Sequence, residues 1–150
     1  LLNHMRLSLL FAALLLLQTA AAQTPPDRIG IVKHNHIALQ VKDMAASAKF
    51  YGETLGLEPI AVPDNLKAIR AWFKIGSDQQ IHLLAGRTQP VVNDRNGSHF
   101  AVFVENIDQT EAYLKKRSIA YHPQVRFDGV KQIYIADPDG YLVEFNQLGK

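Results

Sequence analysis

The sequence contains no cysteine among its 150 residues. Disulfide-stabilised scaffolds, cysteine-ligated zinc sites and cysteine nucleophiles are therefore excluded. It also lacks any concentrated run of Lys and Arg, and its net charge is only +2. Because nucleic-acid binding relies on a basic surface that neutralises phosphates, we expect no nucleic-acid partner. With 47% hydrophobic and 20% charged residues, the composition is that of an ordinary globular domain.

Charge is also missing from the N-terminal region between Arg6 and Asp27. A leucine-rich run over residues 7–17 follows Arg6, and three alanines precede Gln23. This arrangement is typical of a secretory signal peptide, so we expect residues 1–22 to be removed during export to the periplasm or the medium. An uncleaved anchor is the alternative, although the run is shorter than the ~20 residues that a membrane span needs. After cleavage, residues 23–31 would form a linker and no membrane span would remain.

The rest of the chain contains an internal repeat. Residues 36–41 read HIALQV and residues 99–104 read HFAVFV, so His, Ala and Val recur at the same places. A helical pattern of apolar residues follows each segment. Asp43 and Asn106 are suitable N-cap residues for these helices, and Gly56 is suited to end the first one.

Three short strand-like runs follow each predicted helix, separated by Gly, Pro, Asn and Asp. The expected strands are Leu57–Val62, Ala68–Ile75 and Gln80–Ala85, then Tyr121–Phe127, Val130–Ala136 and Tyr141–Gln147. The pattern predicts an α+β fold with two βαβββ modules, at about residues 32–88 and 97–148, in a single domain of residues 32–148. A module of about 60 residues buries too little surface to be stable alone, so the polar loop near residues 90–97 is expected to join modules and not domains.

Strand alternation predicts that four potential metal ligands share one side of the sheet. Successive side chains of a strand point to opposite faces, and the four ligands have the parity that faces away from the helices. They also hold matching positions in the two modules, in the first strand and in the last. Three imidazoles and one carboxylate suit one divalent ion such as Zn, Ni, Fe, Mn or Co. The predicted ligands are His36, His82, His99 and Glu144.

Other side chains are candidates for a substrate pocket. Arg70 and Trp72 share one face of the third strand, where Arg70 could hold an anionic substrate and Trp72 could stack on it. Tyr134 is a third candidate for the pocket lining. Packing at a module or dimer seam is the alternative role for Trp72. We expect His34 to be a frayed strand start and His122 to be a structural residue in a turn-prone stretch.

Four segments resemble the vicinal oxygen chelate superfamily, which includes glyoxalase I, extradiol dioxygenases and metal-free bleomycin-binding proteins. The resemblance covers residues 32–148 and implies a cupped mixed sheet around a metal, with helices on the outer face, commonly in a homodimer. It assigns metal-ligand roles to His36, His99 and Glu144. The sequence departs from glyoxalase I at His82, where that enzyme has a Glu. The four segments are residues 36–43, the pair Phe50-Tyr51, residues 55–57 and the run DPDGYLVE at residues 137–144.

This resemblance implies chemistry on a small substrate chelated through two adjacent oxygens. Our leading hypothesis is an exported, metal-dependent lyase or isomerase resembling lactoylglutathione lyase, with Glu144 as the base and His82 as the alternative base. Two alternatives stay open. One is an Fe(II) extradiol-type dioxygenase in which His82 is an acid or base and not a ligand. The other is a metal-free small-molecule-binding protein. Export argues against glutathione as the natural thiol.

Overall fold

A computed structural model describes residues 28–149. The predicted signal peptide, and the part of the predicted linker before residue 28, lie outside the described residues. Residues 28–33 belong to a separate unit and contain no helix or strand, and the second unit begins at His34. Among the described residues, no helix is long and apolar enough to cross a membrane.

The first module has the predicted βαβββ order. Its four strands form one sheet in the order β1-β4-β3-β2, in which β1 and β4 are parallel and the other neighbours are antiparallel. The elements are β1 (His36–Val41), α1 (Met44–Lys49), β2 (Pro59–Ile60), β3 (Arg70–Ile75) and β4 (Gln79–Ala85).

The second module repeats this topology. Its sheet has the order β5-β8-β7-β6, and β5 and β8 are the parallel pair. The prediction of an α+β fold built from two βαβββ modules is therefore confirmed. The elements are β5 (Phe100–Val104), α2 (Ile107–Lys116), β6 (His122–Val125), β7 (Lys131–Ala136) and β8 (Leu142–Gln147).

Both predicted helix starts are confirmed by capping hydrogen bonds. The Asp43 carboxylate accepts from the backbone N–H of Ala46 at 3.0 Å. The Asn106 side-chain oxygen likewise accepts from the backbone N–H groups of Asp108 and Gln109, the second and third residues of α2. The first helix continues into a π-helical turn over Phe50–Thr54 and stops at Gly56, whose φ of +70° favours glycine.

One local expectation is wrong. The strand expected at Leu57–Val62 is paired only over Pro59–Ile60, and a 3-10 turn at Asp64–Leu66 follows it. Proline has no N–H to donate to a ladder, and here a proline begins the strand and another follows it closely. His122 is the first residue of β6, paired with Tyr134, within the strand expected at Tyr121–Phe127.

Each sheet packs its apolar face against its own helix, and the two resulting cores share several side chains. Phe50 and Leu55 from the end of the first helix pack against both clusters, as does Phe100 of β5. Ile37 of β1 and Phe100 together line cavities between the two modules, so β1 lies alongside β5. The modules therefore form one folded unit.

The turn at residues 137–140, DPDG, fastens the two modules together. The buried hydroxyl of Tyr51 in the first module donates to the Asp137 carboxylate at 2.9 Å. The Asp139 carboxylate accepts from the Lys42 backbone N–H at 3.0 Å and from the Ser47 hydroxyl at 3.3 Å. Burial, followed by the charge of Asp137, raises the pKa of Tyr51, so the phenol stays a donor.

The last residue of this turn has to be glycine. Gly140 has φ +96°, and a Cβ there would lie 2.8 Å from the carbonyl oxygen of Val91 in the segment between the modules. A larger residue would strain the backbone and push this segment away. The motif that carries the family resemblance thus has a structural role in joining the modules.

We predict that Tyr51→Phe lowers the free energy of unfolding by about 1–3 kcal/mol, because it leaves the buried Asp137 without its side-chain donor. Urea unfolding of the two proteins measures the change. Tyr113→Phe is the matched control, since the Tyr113 hydroxyl donates to the Thr54 carbonyl at an exposed position. Equal destabilisation by the two substitutions would show that the Tyr51–Asp137 bond has no special role.

Candidate functional site

The first module presents a stack of three aromatic rings on the face away from its helix. In the sheet, Ala38 pairs with His82, and His82 pairs with Trp72. His36, two residues before Ala38, stacks on His82 with ring centroids 4.2 Å apart and an interplanar angle of 14°. Trp72 covers the His82 ring at 4.6 Å and 19°. Trp72 therefore packs against a candidate site residue of its own module.

Each histidine of this stack has one nitrogen engaged by a neighbouring amide. The Asn35 oxygen lies 2.5 Å from Nδ1 of His36, and the Gln80 oxygen lies 2.7 Å from Nε2 of His82. Amide oxygens only accept, so these nitrogens carry the protons in the neutral rings. The lone pairs are left on Nε2 of His36 and Nδ1 of His82, which are the atoms available to a ligand or a proton.

His82 is electrically neutral near pH 7. Burial lowers its pKa, and the nearby His36 lowers it further because two imidazolium charges would repel. A neutral imidazole with a free lone pair can bind a metal or accept a proton.

The second module repeats the geometry with different chemistry. Ala101 pairs with Glu144, and Glu144 pairs with Tyr134, as Ala38, His82 and Trp72 do in the first module. His99 again lies two residues before the alanine. Its Nε2 is 2.7 Å from Oε2 of Glu144, and the two side chains are 27% and 7% exposed.

The hydrogen bond made by Nδ1 of His99 determines what can lie between Nε2 of His99 and Oε2 of Glu144. Its Nδ1 is 3.0 Å from the carbonyl oxygen of Gly97, which can only accept, so Nδ1 carries a proton. In the neutral ring, Nε2 would then have a lone pair directed at an oxygen of Glu144. Two lone pairs at this distance require either a proton or a metal ion between them.

Tyr134 completes this second half of the site. Its ring lies edge-on to His99, with centroids 5.7 Å apart. The residue is 5% exposed, and burial raises the pKa of its hydroxyl, followed by the effect of the Glu144 carboxylate. The phenol is therefore neutral beside the carboxylate.

The four predicted ligands thus form two pairs, His36 with His82 and His99 with Glu144. A cavity of about 250 Å³ is lined by His99 and by Ala38 of β1, whereas His36, His82 and Glu144 do not line it. No group of three or more His, Cys, Asp or Glu is gathered closely enough to hold a metal ion in the part of the chain that the structure describes.

The sequence pattern of the Glyoxalase/Bleomycin resistance protein/Dioxygenase superfamily matches residues 33–145. This chain belongs to that superfamily. The match includes both modules and all four predicted ligands. No curated protein matches the chain.

Solved structures of the superfamily are similar along nearly their whole length. A glyoxalase family protein from Bacillus anthracis is 30% identical, with a TM-score of 0.68, and the match covers 81% of this chain and 99% of that one. A lactoylglutathione lyase from Agrobacterium tumefaciens is 23% identical, with a TM-score of 0.61 over 83% and 96% of the two chains. An antibiotic-binding protein from Streptomyces sp. CB03234 is 19% identical, with a TM-score of 0.63 over 81% and 100%.

A divalent ion of the kind common in this superfamily fits the second half of the site better than the first. His99 Nε2 and Glu144 Oε2 converge on a position that needs positive charge, and they would separate only slightly to accept bonds of about 2.0–2.2 Å. A metal bound to an imidazole lies in the plane of its ring. The nearly parallel planes of His36 and His82 do not meet within bonding distance, so one of these rings would have to turn before both bound the same ion.

The remaining predicted residues surround the two pairs to different degrees. Arg70 lies on the same face of β3 as Trp72, two register positions away from His82, and donates to the carbonyl of the residue before it at 2.8 Å. His34 precedes β1, is exposed and lines a cavity with Ile37. His122 contacts the Arg95 guanidinium through Nε2.

Sequence reasoning missed the amide side chains that hold the carboxylate. Gln132 and Asn146 both donate to Oε1 of Glu144, the latter at 2.7 Å. Gln132 has the same parity in β7 as Tyr134, so strand alternation was a signal that could have found it.

We predict that His82 in the metal-free protein titrates below the ordinary histidine value of about 6.5, and that His36→Phe moves its midpoint partly back. Phenylalanine keeps a ring in the stack and removes the titrating charge, whereas burial, the larger cause, remains. NMR titration of the imidazole resonances measures both midpoints. His99→Phe, in the other half of the site, is the control and should not move His82. An unchanged His82 midpoint in His36→Phe would contradict the assigned coupling.

Proposed function

We propose that this protein is a divalent-metal-dependent, glyoxalase-like lyase or isomerase acting on a small substrate chelated through adjacent oxygens. The observation that carries the proposal is the 2.7 Å approach of His99 Nε2 to the buried Glu144 carboxylate, with the histidine's other proton already directed at a carbonyl. A proton would satisfy this pair as an ordinary salt bridge, and a divalent ion would satisfy it equally well. Membership of a superfamily that includes glyoxalases supports the choice of chemistry.

His99, Glu144 and His36 are the residues that would hold the ion, with His82 as a fourth candidate, and the two pairs would have to move together because no three of these residues form one cluster in the described part of the chain. Imidazole and carboxylate donors suit Zn, Ni, Fe, Mn or Co. When bound, the ion would act as a Lewis acid on the two chelated oxygens of the substrate.

The protein's own groups would then move a proton. In an isomerisation, Glu144 would take a proton from the carbon beside the substrate carbonyl and return it to the neighbouring carbon. His82 is the alternative base, because it is neutral and has a free Nδ1. Trp72 and Tyr134 would form opposite walls of the substrate site, and Arg70 would meet an anionic substituent.

The proposal includes export and a homodimer. The leucine-rich N-terminal segment supports export to the periplasm or the medium. Glutathione would be scarce there, so another thiol or an α-hydroxycarbonyl compound is the expected natural substrate.

We predict that the chain from residue 23 onwards, purified without chelator, contains about one divalent ion, and that His36→Ala and Glu144→Ala each lose it. Elemental analysis measures the ion, and turnover of hemithioacetals and α-hydroxycarbonyls measures activity. His34→Ala, an exposed histidine close to His36, is the matched control and should retain the metal. Folded wild-type protein that neither binds nor uses any added divalent ion would contradict the proposal.

We predict that the metal-binding pairs act within one chain. Ala38 and His99 line one cavity of the same chain, so co-assembled dimers of His36→Ala and Glu144→Ala subunits should have no more activity than either variant alone. Differently tagged subunits allow the mixed dimer to be isolated and assayed. Recovery of activity in the mixed dimer would instead place each site between two copies.

Two other functions are supported by single observations. Two histidines and a carboxylate also form the usual donor set of Fe(II) oxygenases, which favours an extradiol-type dioxygenase. That function predicts oxygen uptake with catechols in the presence of Fe(II) but not of Zn.

A metal-free binding protein is favoured by the flat three-ring stack of His36, His82 and Trp72 and by the likeness in fold to an antibiotic-binding protein. It predicts tight binding of an aromatic compound, unaffected by chelator and weakened by Trp72→Ala.

A further inference from the structure

Both oxygens of the Glu144 carboxylate have partners in the structure. One oxygen, Oε1, accepts from the side-chain amides of Gln132 and Asn146, and the other, Oε2, faces His99. The two oxygens of one carboxylate therefore have different surroundings, with neutral amides on one side and an imidazole on the other.

The sheet register creates this difference. Gln132 of β7 pairs directly with Asn146 of β8, and Glu144 lies two residues before Asn146 on the same face. Gln132 also donates to the oxygen of Asn146 at 3.0 Å, which orients the second amide so that its own N–H points at Glu144. Neighbouring positions on two hydrogen-bonded strands thus bring two amides to one oxygen atom.

Burial makes the arrangement restrictive. Counted over the whole residue, Gln132 and Glu144 are each 5% exposed. No buried side-chain polar atom lacks a hydrogen-bond partner among residues 28–149. A carboxylate rotates easily about its last torsion unless donors fix it. Well-packed apolar side chains would usually stabilise such a position at least as well as a buried charge. The hydrogen bonds around Glu144 therefore indicate that a carboxylate is kept at this position for a reason other than the stability of the fold.

We propose that Gln132 and Asn146 are positioning residues that occupy Oε1 of Glu144 and leave Oε2 as the one oxygen through which Glu144 binds a cation. The inference rests on the proposed metal-dependent function and specifies how its carboxylate ligand is used. Because both oxygens of Glu144 are then engaged, it assigns the role of base to His82 and not to Glu144. Loss of the amides would free Oε1, and the carboxylate could then turn or bind an ion through both oxygens.

The first test is the zinc affinity of Gln132→Met, which keeps the length of the side chain and removes both amide groups. We expect the dissociation constant for Zn²⁺ to rise about 10–100-fold, the range found when partners of metal ligands are removed. Gln124→Met is the matched control, because Gln124 pairs with Gln132 in the same sheet but contacts Arg95 and not Glu144. Its affinity should equal that of the wild type.

The second test uses Co²⁺ in place of Zn²⁺ and measures the visible absorption of the bound ion. A purely structural role of Gln132 would leave this absorption unchanged. A carboxylate that gains a second bond to Co²⁺ raises the coordination number, and the visible absorption of the ion weakens. We expect weaker absorption in metal-saturated Gln132→Met and an unchanged spectrum in Gln124→Met.

Asn146→Leu provides a second variant if Gln132→Met fails to fold, as judged by cooperative urea unfolding without metal. Because both amides act on one oxygen, the double variant should weaken zinc binding by less than the product of the two single effects. Wild-type affinity and an unchanged cobalt spectrum in both single variants would overturn the inference and leave the proposed function intact. Failure of the wild type itself to bind any divalent ion would overturn the proposed function first, and this inference with it.

Discussion

The parallel pairing of the first and last strands of each module is the constraint on which the candidate site depends. This pairing sets Ala38 opposite His82 in one sheet and Ala101 opposite Glu144 in the other. A shift of one residue in either register would turn the last-strand ligand to the opposite face, into the apolar core. The buried side chains that alternate with the ligands, such as Leu83 and Val143, make such a shift costly because it would expose them.

The two modules use the same scaffold for different chemistry. At the last-strand position, the first module has a neutral imidazole between two rings, and the second has a carboxylate surrounded by donors. The aromatic partner also differs, since Trp72 stacks on His82 while the Tyr134 ring lies edge-on to His99. One side of the site is thus a flat stack of rings, and the other is centred on a buried carboxylate.

The connection between the modules depends on a polar turn that packs against the first helix. Asp137 accepts from the Tyr51 hydroxyl and from two backbone N–H groups of its own turn, and this number of donors makes a buried carboxyl tolerable. Burial nevertheless raises the pKa of Asp137. The residues with the strongest family resemblance therefore serve two purposes, because the turn fixes the module joint and the strand after it presents Glu144.

Sequence periodicity by itself determined which face each candidate ligand occupies, because alternation along a strand is a property of the extended backbone. The N-caps, the stop at Gly56 and the βαβββ repeat were equally local and predictable. Tertiary structure decided that β2 pairs with β3 only over Pro59–Ile60. It also decided that the ligands come as pairs, that His36 stacks on His82, and that Gln132 and Asn146 hold one oxygen of Glu144. These features depend on the register between strands distant in sequence and on the choice of side-chain rotamer, neither of which a pattern along one strand specifies.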